Sequence, residues 1–314
     1  MAKKRAWMAA LLAGLLLLTG CGADALPQEE IPVEGDPLMR DTLVYYEQDD
    51  GLLVPVVVQE EWSETMLTSL AERLVANELE QLDLEEAGLT ALLPGDTRVN
   101  VTLEDGTATV NMQSSWLGEV SAKRGKNIAA SMVNTLCQFP AVQQVQLQVN
   151  GKSEKLGETD ISKPLTEMDL NPEGKAGKNT PVTVYYKTAD TGLLVPVTKY
   201  VKNVEPETVV ETMLGTPATD NVVSLFPWGT RILDVSLGED GVLSLNFSKE
   251  FLELRENPYL ENIVMKNIPI TCKQVDGVKD VRVYVEGEEY QPLSKTTMSV
   301  FGNELGRTGM AEDE

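Results

Sequence analysis

The 314-residue chain contains no histidine, and only 5% of its residues are aromatic. The absence of imidazole excludes Ser-His-Asp triads, Cys-His dyads, histidine-ligated zinc and haem held by a proximal histidine. Basic charge is also scarce, since 26 lysines and arginines face 49 aspartates and glutamates, for a formal net charge of -23. The chain therefore lacks the basic face that a nucleic-acid backbone or a broadly anionic lipid surface requires. We expect no nucleic-acid partner.

The N-terminus has the pattern of an export signal. Lys3-Lys4-Arg5 is followed by an uncharged, Leu/Ala-rich run from Ala6 to Leu18, which is too short to span a bilayer. The run ends in Leu18-Thr19-Gly20-Cys21, which resembles a bacterial lipobox. Residues 1–20 are therefore predicted to be a lipoprotein signal peptide, and lipid on Cys21 to anchor the protein at the extracytoplasmic face of the cell membrane. The alternative is an ordinary signal peptide beside a chance cysteine.

The rest of the chain contains a duplicated unit. The predicted organisation is a flexible tether at 21–40, repeat 1 at 41–152, a linker at 153–180, repeat 2 at 181–290 and a mobile polar tail at 291–314. Ordered matches of this length indicate two homologous domains, because solenoid repeats have shorter periods. The matches are Leu43–Tyr46 with Thr183–Tyr186, Gly51–Val56 with Gly192–Val197, Glu64–Leu67 with Glu211–Leu214, Pro94 with Pro227, Thr97-Arg98 with Thr230-Arg231, and Glu104–Cys137 with Glu239–Cys272 at constant spacing.

Each repeat reads as β-β-α-β-β-α-β. One helix is predicted to begin near an N-cap at Ser63, with an apolar stripe from Met66 to Val75. A hairpin with a type I′ turn at Asp105-Gly106 and a second one-faced helix follow. In repeat 2 the second helix is expected to end or kink at Pro269. The fold class is therefore α+β, with two helices packed on one face of a small mixed β-sheet in each of two similar domains.

Several patterns are candidate sites, and each has a simpler structural explanation. Lys123-Arg124-Gly125-Lys126 is a local basic patch, for which a solvated loop before a helix is the favoured interpretation. Tyr45-Tyr46 and Tyr185-Tyr186 are candidates for an aromatic ligand platform, although one tyrosine of each pair must face the core. Gly151-Lys152-Ser153 lacks the rest of a phosphate loop, and Asp49-Asp50-Gly51 fits a turn better than a calcium loop.

The remaining chemistry-bearing residues are cysteines and carboxylates. Cys137 and Cys272 fall at equivalent places in the two repeats, which favours small buried hydrophobic residues over a disulfide. No particular pair of carboxylates is marked for acid/base catalysis. We therefore predict no catalytic, cofactor-binding or metal-binding residues, and Cys21 is the one predicted modification site.

The run Leu225–Ile232, then Glu239–Val242 and Leu245–Phe251, resembles the centre of the GerM domain, as does Asn134–Pro140 leading into Val145–Lys152. The resemblance implies a fold similar to ring-building modules of secretion machines, no cofactor, and a non-enzymatic scaffold role in sporulation or spore germination. It also implies protein partners in an envelope assembly, either other proteins or further copies of this chain. Two alternatives stay open: a peptidoglycan- or peptide-binding lipoprotein that uses the cleft between the domains, and a cell-wall hydrolase.

Overall fold

A computed structural model describes residues 38–293 and 301–305 of the chain. The predicted signal peptide, the lipidation site Cys21 and nearly all of the predicted tether lie outside the described residues. Within the described residues, no helix is both long enough and apolar enough to cross a membrane. From Met39 onward the two repeats belong to one compact unit, so their mutual contacts are described together.

Repeat 1 follows the predicted order and adds one helix and one short strand. The additional helix, α2 (Glu78–Glu86), is acidic and contributes the buried Leu84 to the core. A single 3₁₀ turn at Trp116–Gly118 precedes the last helix. The elements are β1 (Met39–Gln48), β2 (Leu53–Glu61), α1 (Met66–Glu72), α2 (Glu78–Glu86), β3 (Leu89–Thr90), β4 (Arg98–Glu104), β5 (Thr107–Gln113), α3 (Ala122–Cys137) and β6 (Gln144–Val149).

Repeat 2 has the same order without a counterpart of α2. Pro206 occupies the first helical turn of α4, where its missing N–H costs nothing. A 3₁₀ segment, Lys249–Glu256, precedes the last helix. After the linker strands β7 (Lys155–Leu156) and β8 (Thr159–Asp160), the elements are β9 (Thr180–Thr188), β10 (Leu194–Val201), α4 (Pro206–Leu214), β11 (Val222–Val223), β12 (Ile232–Leu237), β13 (Val242–Phe247), α5 (Pro258–Cys272), β14 (Asp280–Val285) and β15 (Glu288–Glu289).

The strands of each repeat divide between two small sheets. In repeat 1, β1 pairs antiparallel with β2 and β3, while β5 pairs antiparallel with β4 and parallel with β6. Repeat 2 repeats this pairing and adds β15 next to β14. The helix α3 packs on β1 and β6, and α1 packs on β4 and α3, so the helices join the two sheets over a common core. The predicted α+β fold of two similar domains is confirmed.

Two local predictions hold in detail. Asp105 and Gly106 have φ angles of 48° and 76°, and this pair of positive values defines a type I′ hairpin turn. Along α1, Met66, Leu70 and Ala71 are buried, and Leu74, just beyond it, continues the same stripe. The matching turn in repeat 2 is longer, since the N–H of Gly238 bonds to the carbonyl of Val242 across an intervening loop.

Two predictions about the helices are wrong, and one of the two outcomes expected for a third does not occur. The helix α1 begins at Met66 after Thr65, because residues 64–65 form a turn, so Ser63 is not its N-cap. The match of Glu64–Leu67 with Glu211–Leu214 is not structural, since it pairs the start of α1 with the end of α4. Of the two outcomes expected at Pro269, a helix end does not occur, since α5 continues to Cys272 and the N–H of Lys273 still bonds to the Pro269 carbonyl; a kink there stays a prediction.

The linker and part of the tail pack against the repeats. Gly125 of α3 lies directly against the linker, because a Cβ at this position would lie 2.3 Å from the Leu156 carbonyl oxygen. In the predicted polar tail, Asn303 is only 5% exposed and Phe301 contacts Tyr185 edge to face. Residues 301–305 therefore depart from the expected mobile tail, because an apolar ring and a buried amide fix them between the repeats.

Candidate functional site

The two tyrosine pairs build the core and the junction between the repeats. Tyr46 and Tyr186 face the cores, at 2% and 0% exposure. Tyr45 and Tyr185 point the other way and lie close enough to interact with one another across the junction. Burial raises the pKa of Tyr185 to about 12, and burial, Tyr185 and Glu167 all raise the pKa of Tyr45. The pairs therefore form no open aromatic platform.

The basic patch lies in the first turns of α3 and makes intramolecular contacts, so the predicted solvated loop is wrong. Arg124 forms an ion pair with Glu47 and donates to the carbonyls of Ala91 and Leu92 at 3.0 and 2.9 Å. Lys123 donates to the carbonyl of Asp50 at 2.6 Å. These contacts fasten α3 to β1 and the β1–β2 turn through Arg124 and Lys123.

The glycine-containing candidates are turns. Gly51 has a φ of +82° after Asp50, whose carboxylate accepts from the N–H of Leu52. Asn150 and Gly151 also have positive φ values, 52° and 77°, at the end of β6. Among the described residues, no cluster of three or more cysteine or acidic side chains has a geometry suited to a metal ion.

One carboxylate is fully buried. Glu261, on α5, is 0% exposed; it accepts a short hydrogen bond from the Tyr290 hydroxyl and another from the N–H of Leu293 at 3.0 Å. Burial and the Glu261 carboxylate raise the pKa of Tyr290 to about 12. This pair fastens the end of repeat 2 onto α5 and has no access to a substrate.

Both described cysteines are free thiols on the last helix of their repeat. Cys272 is buried, and burial raises the pKa of its thiol to about 12. Cys137 is half-buried, and burial followed by the nearby Glu167 raises its pKa as well. Neither thiol has the depressed pKa of a reactive cysteine, which agrees with the prediction that they are small apolar residues.

The junction between the repeats is held by two asparagines, which the sequence analysis missed. The Asn171 amide accepts from the N–H of Leu53 and donates to the carbonyls of Leu53 and Pro196, at 2.7 to 2.8 Å. The Asn303 amide accepts from the N–H of Leu194 and donates to the carbonyls of Leu194 and Pro55, at 2.7 to 2.9 Å. These bonds tie β2 to β10, while a cavity of about 270 Å³, lined by residues of both repeats, remains beside the Asn171 bonds.

An open cavity lies in repeat 2. It has a volume of about 510 Å³ and runs from the end of α4 to the Pro227–Thr230 turn. In that turn the N–H of Thr230 bonds to the Pro227 carbonyl at 3.1 Å, and Gly229 has a φ of +83°, as a type II turn requires. Trp228 stands on this rigid turn and is 95% exposed.

A second cavity, of about 310 Å³, is acidic and lies where the first turns of the two repeats meet. Asp220 lines both cavities, so they are neighbours. Gln48 donates from Nε2 to both carboxylate oxygens of Asp190, at 3.0 and 3.1 Å. Hydrogen bonds, the largest from the N–H of Thr191, lower the pKa of Asp190. The lining comprises Gln48, Asp49, Asp50, Ala189, Asp190, Asp220 and Asn221.

Comparisons with known proteins indicate one family. The model of the Germane family, described as "Sporulation and spore germination", matches residues 43–155 and 183–291. The spore germination protein GerM of Bacillus subtilis (strain 168) is 30% identical over 219 residues, which cover 64% of this chain and 59% of that protein. The match thus spans less than two thirds of that relative.

A solved structure has the same fold. The tandem GerMN domains of the sporulation protein GerM from Bacillus subtilis superpose with a TM-score of 0.64 and 25% sequence identity, covering 85% of this chain and all of that one. The first GerMN domain of the same protein gives a TM-score of 0.36 at 30% identity, covering 40% of this chain and 97% of that one. The tandem structure therefore matches both repeats together.

Proposed function

The chain belongs to the Germane family of sporulation and spore germination proteins, and from this premise we propose that it is a non-enzymatic, lipid-anchored assembly component of the cell envelope. The process in which it acts is sporulation or spore germination. Its partners are proteins of an envelope assembly, with self-association as one form of that assembly. The role needs no cofactor and no catalytic group from this chain.

The observation that best supports the proposal is the junction of the repeats. Asn171 and Asn303 each bond to β2 and to β10, and so cross-link the two repeats, one from the linker and the other from the tail. Two similar domains held in one compact unit present two related surfaces at a fixed distance. This rigidity suits a scaffold, because the two surfaces are already fixed and the chain loses little conformational freedom when a partner binds to both.

The membrane attachment rests on the sequence. In the proposal, Cys21 is lipidated and becomes the new N-terminus, and two or more acyl chains give stable anchoring. The tether at 21–40 gives a mean reach of about 25 Å. Loss of Lys3, Lys4 and Arg5 makes the mature chain more acidic still, so it is expected to stand off an anionic membrane surface.

The decisive experiment is a count of heat-resistant spores in a strain that lacks the gene, complemented with the wild type or with Cys21→Ser. We expect a large drop that only the wild type restores, with Cys21→Ser recovered from the soluble fraction. An unchanged spore count would overturn the assigned process. Retention of Cys21→Ser in the membrane fraction would overturn the lipid anchor while leaving the fold intact.

The hydrolase alternative has a direct test with purified protein. A hydrolase would release muropeptides from purified cell walls, whereas the proposed scaffold would release none. The fully buried Glu261 is tied to Tyr290 and Leu293, so it is not available as a catalytic acid. Measurable release that rises with protein concentration would contradict the non-enzymatic role.

A further inference from the structure

The turn that carries Trp228 has a counterpart in repeat 1, where the chain that leaves the first helix is hydrogen-bonded to the segment that leads into the turn. We call this contact the seam. There the chain leaving α1 runs beside Leu93, with the N–H of Ala76 bonded to the Leu93 carbonyl and the N–H of Leu93 bonded to the Leu74 carbonyl, both at 2.8 Å. In the turn that follows, the N–H of Thr97 bonds to the Pro94 carbonyl at 2.9 Å, as the N–H of Thr230 bonds to the Pro227 carbonyl in repeat 2. Repeat 1 therefore joins the end of its first helix to this turn through main-chain hydrogen bonds.

The closed seam depends on glycine. A Cβ at Gly95 would lie 2.9 Å from the carbonyl oxygen of Ala76, closer than real Cβ atoms approach backbone oxygen. Trp228 takes the place of Gly95 in repeat 2, between the matching Pro227 and Thr230. A tryptophan cannot make the same close approach, so the seam of repeat 2 cannot close in this way.

The seam of repeat 2 is open. In the described part of the chain, no main-chain hydrogen bond joins the segment after α4 to Phe226–Trp228, and the cavity of about 510 Å³ occupies the space between them. This volume lies within the usual range for ligand pockets. The apolar part of its lining is formed by Leu214, Pro217, Val222, Val223, Phe226, Pro227 and Trp228.

The lining of the two neighbouring cavities changes from apolar in the first to acidic in the second. Asp220 is the one charged residue that lines the cavity beside Trp228, and it leads into the acidic cavity with Asp49, Asp50 and Asp190. Gln48 also lines the acidic cavity; its side chain is 6% exposed, and Oε1 accepts no hydrogen bond from any described residue. This end offers carboxylates, which suit a cationic side chain.

We propose that these two cavities form one docking groove, the seam groove, for an extended peptide segment of a partner protein. An apolar side chain of the peptide packs on Trp228, and a lysine or arginine next to it extends past Asp220 to the acidic end. The peptide backbone supplies the main-chain partners that the chain itself supplies in repeat 1. This is recognition by an extended peptide in an aromatic-lined groove, with the charge pattern setting its direction.

The test uses the full-length chain in detergent and a randomised library of octapeptides, with bound peptides identified by mass spectrometry. We expect the retained peptides to be enriched in an apolar residue beside lysine or arginine. Trp228→Gly should weaken retention by about tenfold or more, as loss of a central aromatic contact does. Asp220→Asn should reduce the enrichment in basic residues and the dependence of binding on salt.

Two controls separate the groove from general damage. Trp116→Ala removes an exposed tryptophan in repeat 1, at 38% exposure, and should leave retention unchanged. Trp228→Gly introduces the residue that the matching turn of repeat 1 already carries, and an unchanged thermal melt would show an intact fold. Equal retention by the wild type and Trp228→Gly would overturn the proposal, and so would binding of purified glycan strands in place of peptides. Because the readout is binding, it does not depend on the role in sporulation.

Discussion

Asn171 and Asn303 make the same set of hydrogen bonds with the roles of the two repeats exchanged. Each amide accepts from one leucine N–H, donates back to the carbonyl of that leucine, and donates to a proline carbonyl in the other repeat. The two leucines, Leu53 and Leu194, match one another in the duplicated sequence. The junction therefore has an approximate two-fold character, and both residues that complete it come from segments outside the repeats.

The first prediction concerns Asn303→Ala. The change removes the side-chain partner of the Leu194 N–H and carbonyl in a buried site, while the main-chain N–H of residue 303 still bonds to the Pro55 carbonyl, and it should lower the free energy of unfolding by about 1–3 kcal/mol. Urea denaturation measures it. Asn221→Ala is the matched control, because Asn221 is exposed and donates to Asp50, and it should change stability by less than about 0.5 kcal/mol. A denaturation midpoint for Asn303→Ala equal to that of the control would show that the tail does not hold the junction.

Sequence patterns predicted the parts of this molecule that depend on short-range periodicity. Three features follow from the sequence alone: the Asp105-Gly106 turn, the apolar stripes of α1 and α3, and the duplication itself. The junction is not, because Asn171 contacts a residue 118 positions away and Asn303 one 248 positions away. Nothing in the local composition of the linker or tail marks these two amides.

The open seam of repeat 2 could be predicted from the sequence only in part. Trp228 was visible in the run that carries the family resemblance, but its significance depends on Gly95 at the matching position. The glycine matters only because Ala76 approaches it, and that contact is known only from the structure. Comparing the two repeats residue by residue would have marked the position, although it would not have shown a cavity.

A second prediction follows from the thiols. Because burial raises the pKa of Cys272 to about 12, almost none of it is thiolate at neutral pH. Iodoacetamide should therefore leave Cys272 unmodified in the native protein and label Cys137, which is half-buried, slowly. Both should react rapidly in urea, as measured by mass spectrometry. Native labelling of Cys272 at the rate seen in urea would show that α5 is not packed as described.

A third prediction concerns alkaline pH. The pKa of Tyr290 is about 12 in the folded protein and near 10 when unfolded, so the folded state holds the proton more tightly. The stabilisation that comes from this difference in the pKa of Tyr290 is complete below pH 10 and is lost as the pH rises from about 10 to 12. Tyr185 and Tyr200, also with pKa values of about 12, act in the same sense.

Tyr290→Phe tests this contribution. The variant should be less stable at pH 7 by about 1–3 kcal/mol, because it removes the hydroxyl that donates to the buried Glu261. It should also lose less stability than the wild type between pH 10 and 12, as followed by urea denaturation at each pH. Tyr259→Phe, at a residue that is 63% exposed, is the control and should behave as the wild type at pH 7. Identical pH profiles for Tyr290→Phe and the wild type would contradict the role of Tyr290.

The last prediction tests the contact between α3 and the linker. Gly125→Ala places a Cβ 2.3 Å from the carbonyl oxygen of Leu156, and because that oxygen belongs to the backbone the linker must shift. We expect a loss of stability of about 1–3 kcal/mol, typical of overpacking, despite the better helix propensity of alanine. Gly118→Ala is the control, since no atom outside its immediate neighbours lies within 4 Å of its Cβ position. If Gly125→Ala proved as stable as Gly118→Ala, or more stable than the wild type, α3 would not lie as close to the Leu156 carbonyl as described, and the linker would then be held to repeat 1 by its other hydrogen bonds, such as those between Val145 and Leu165.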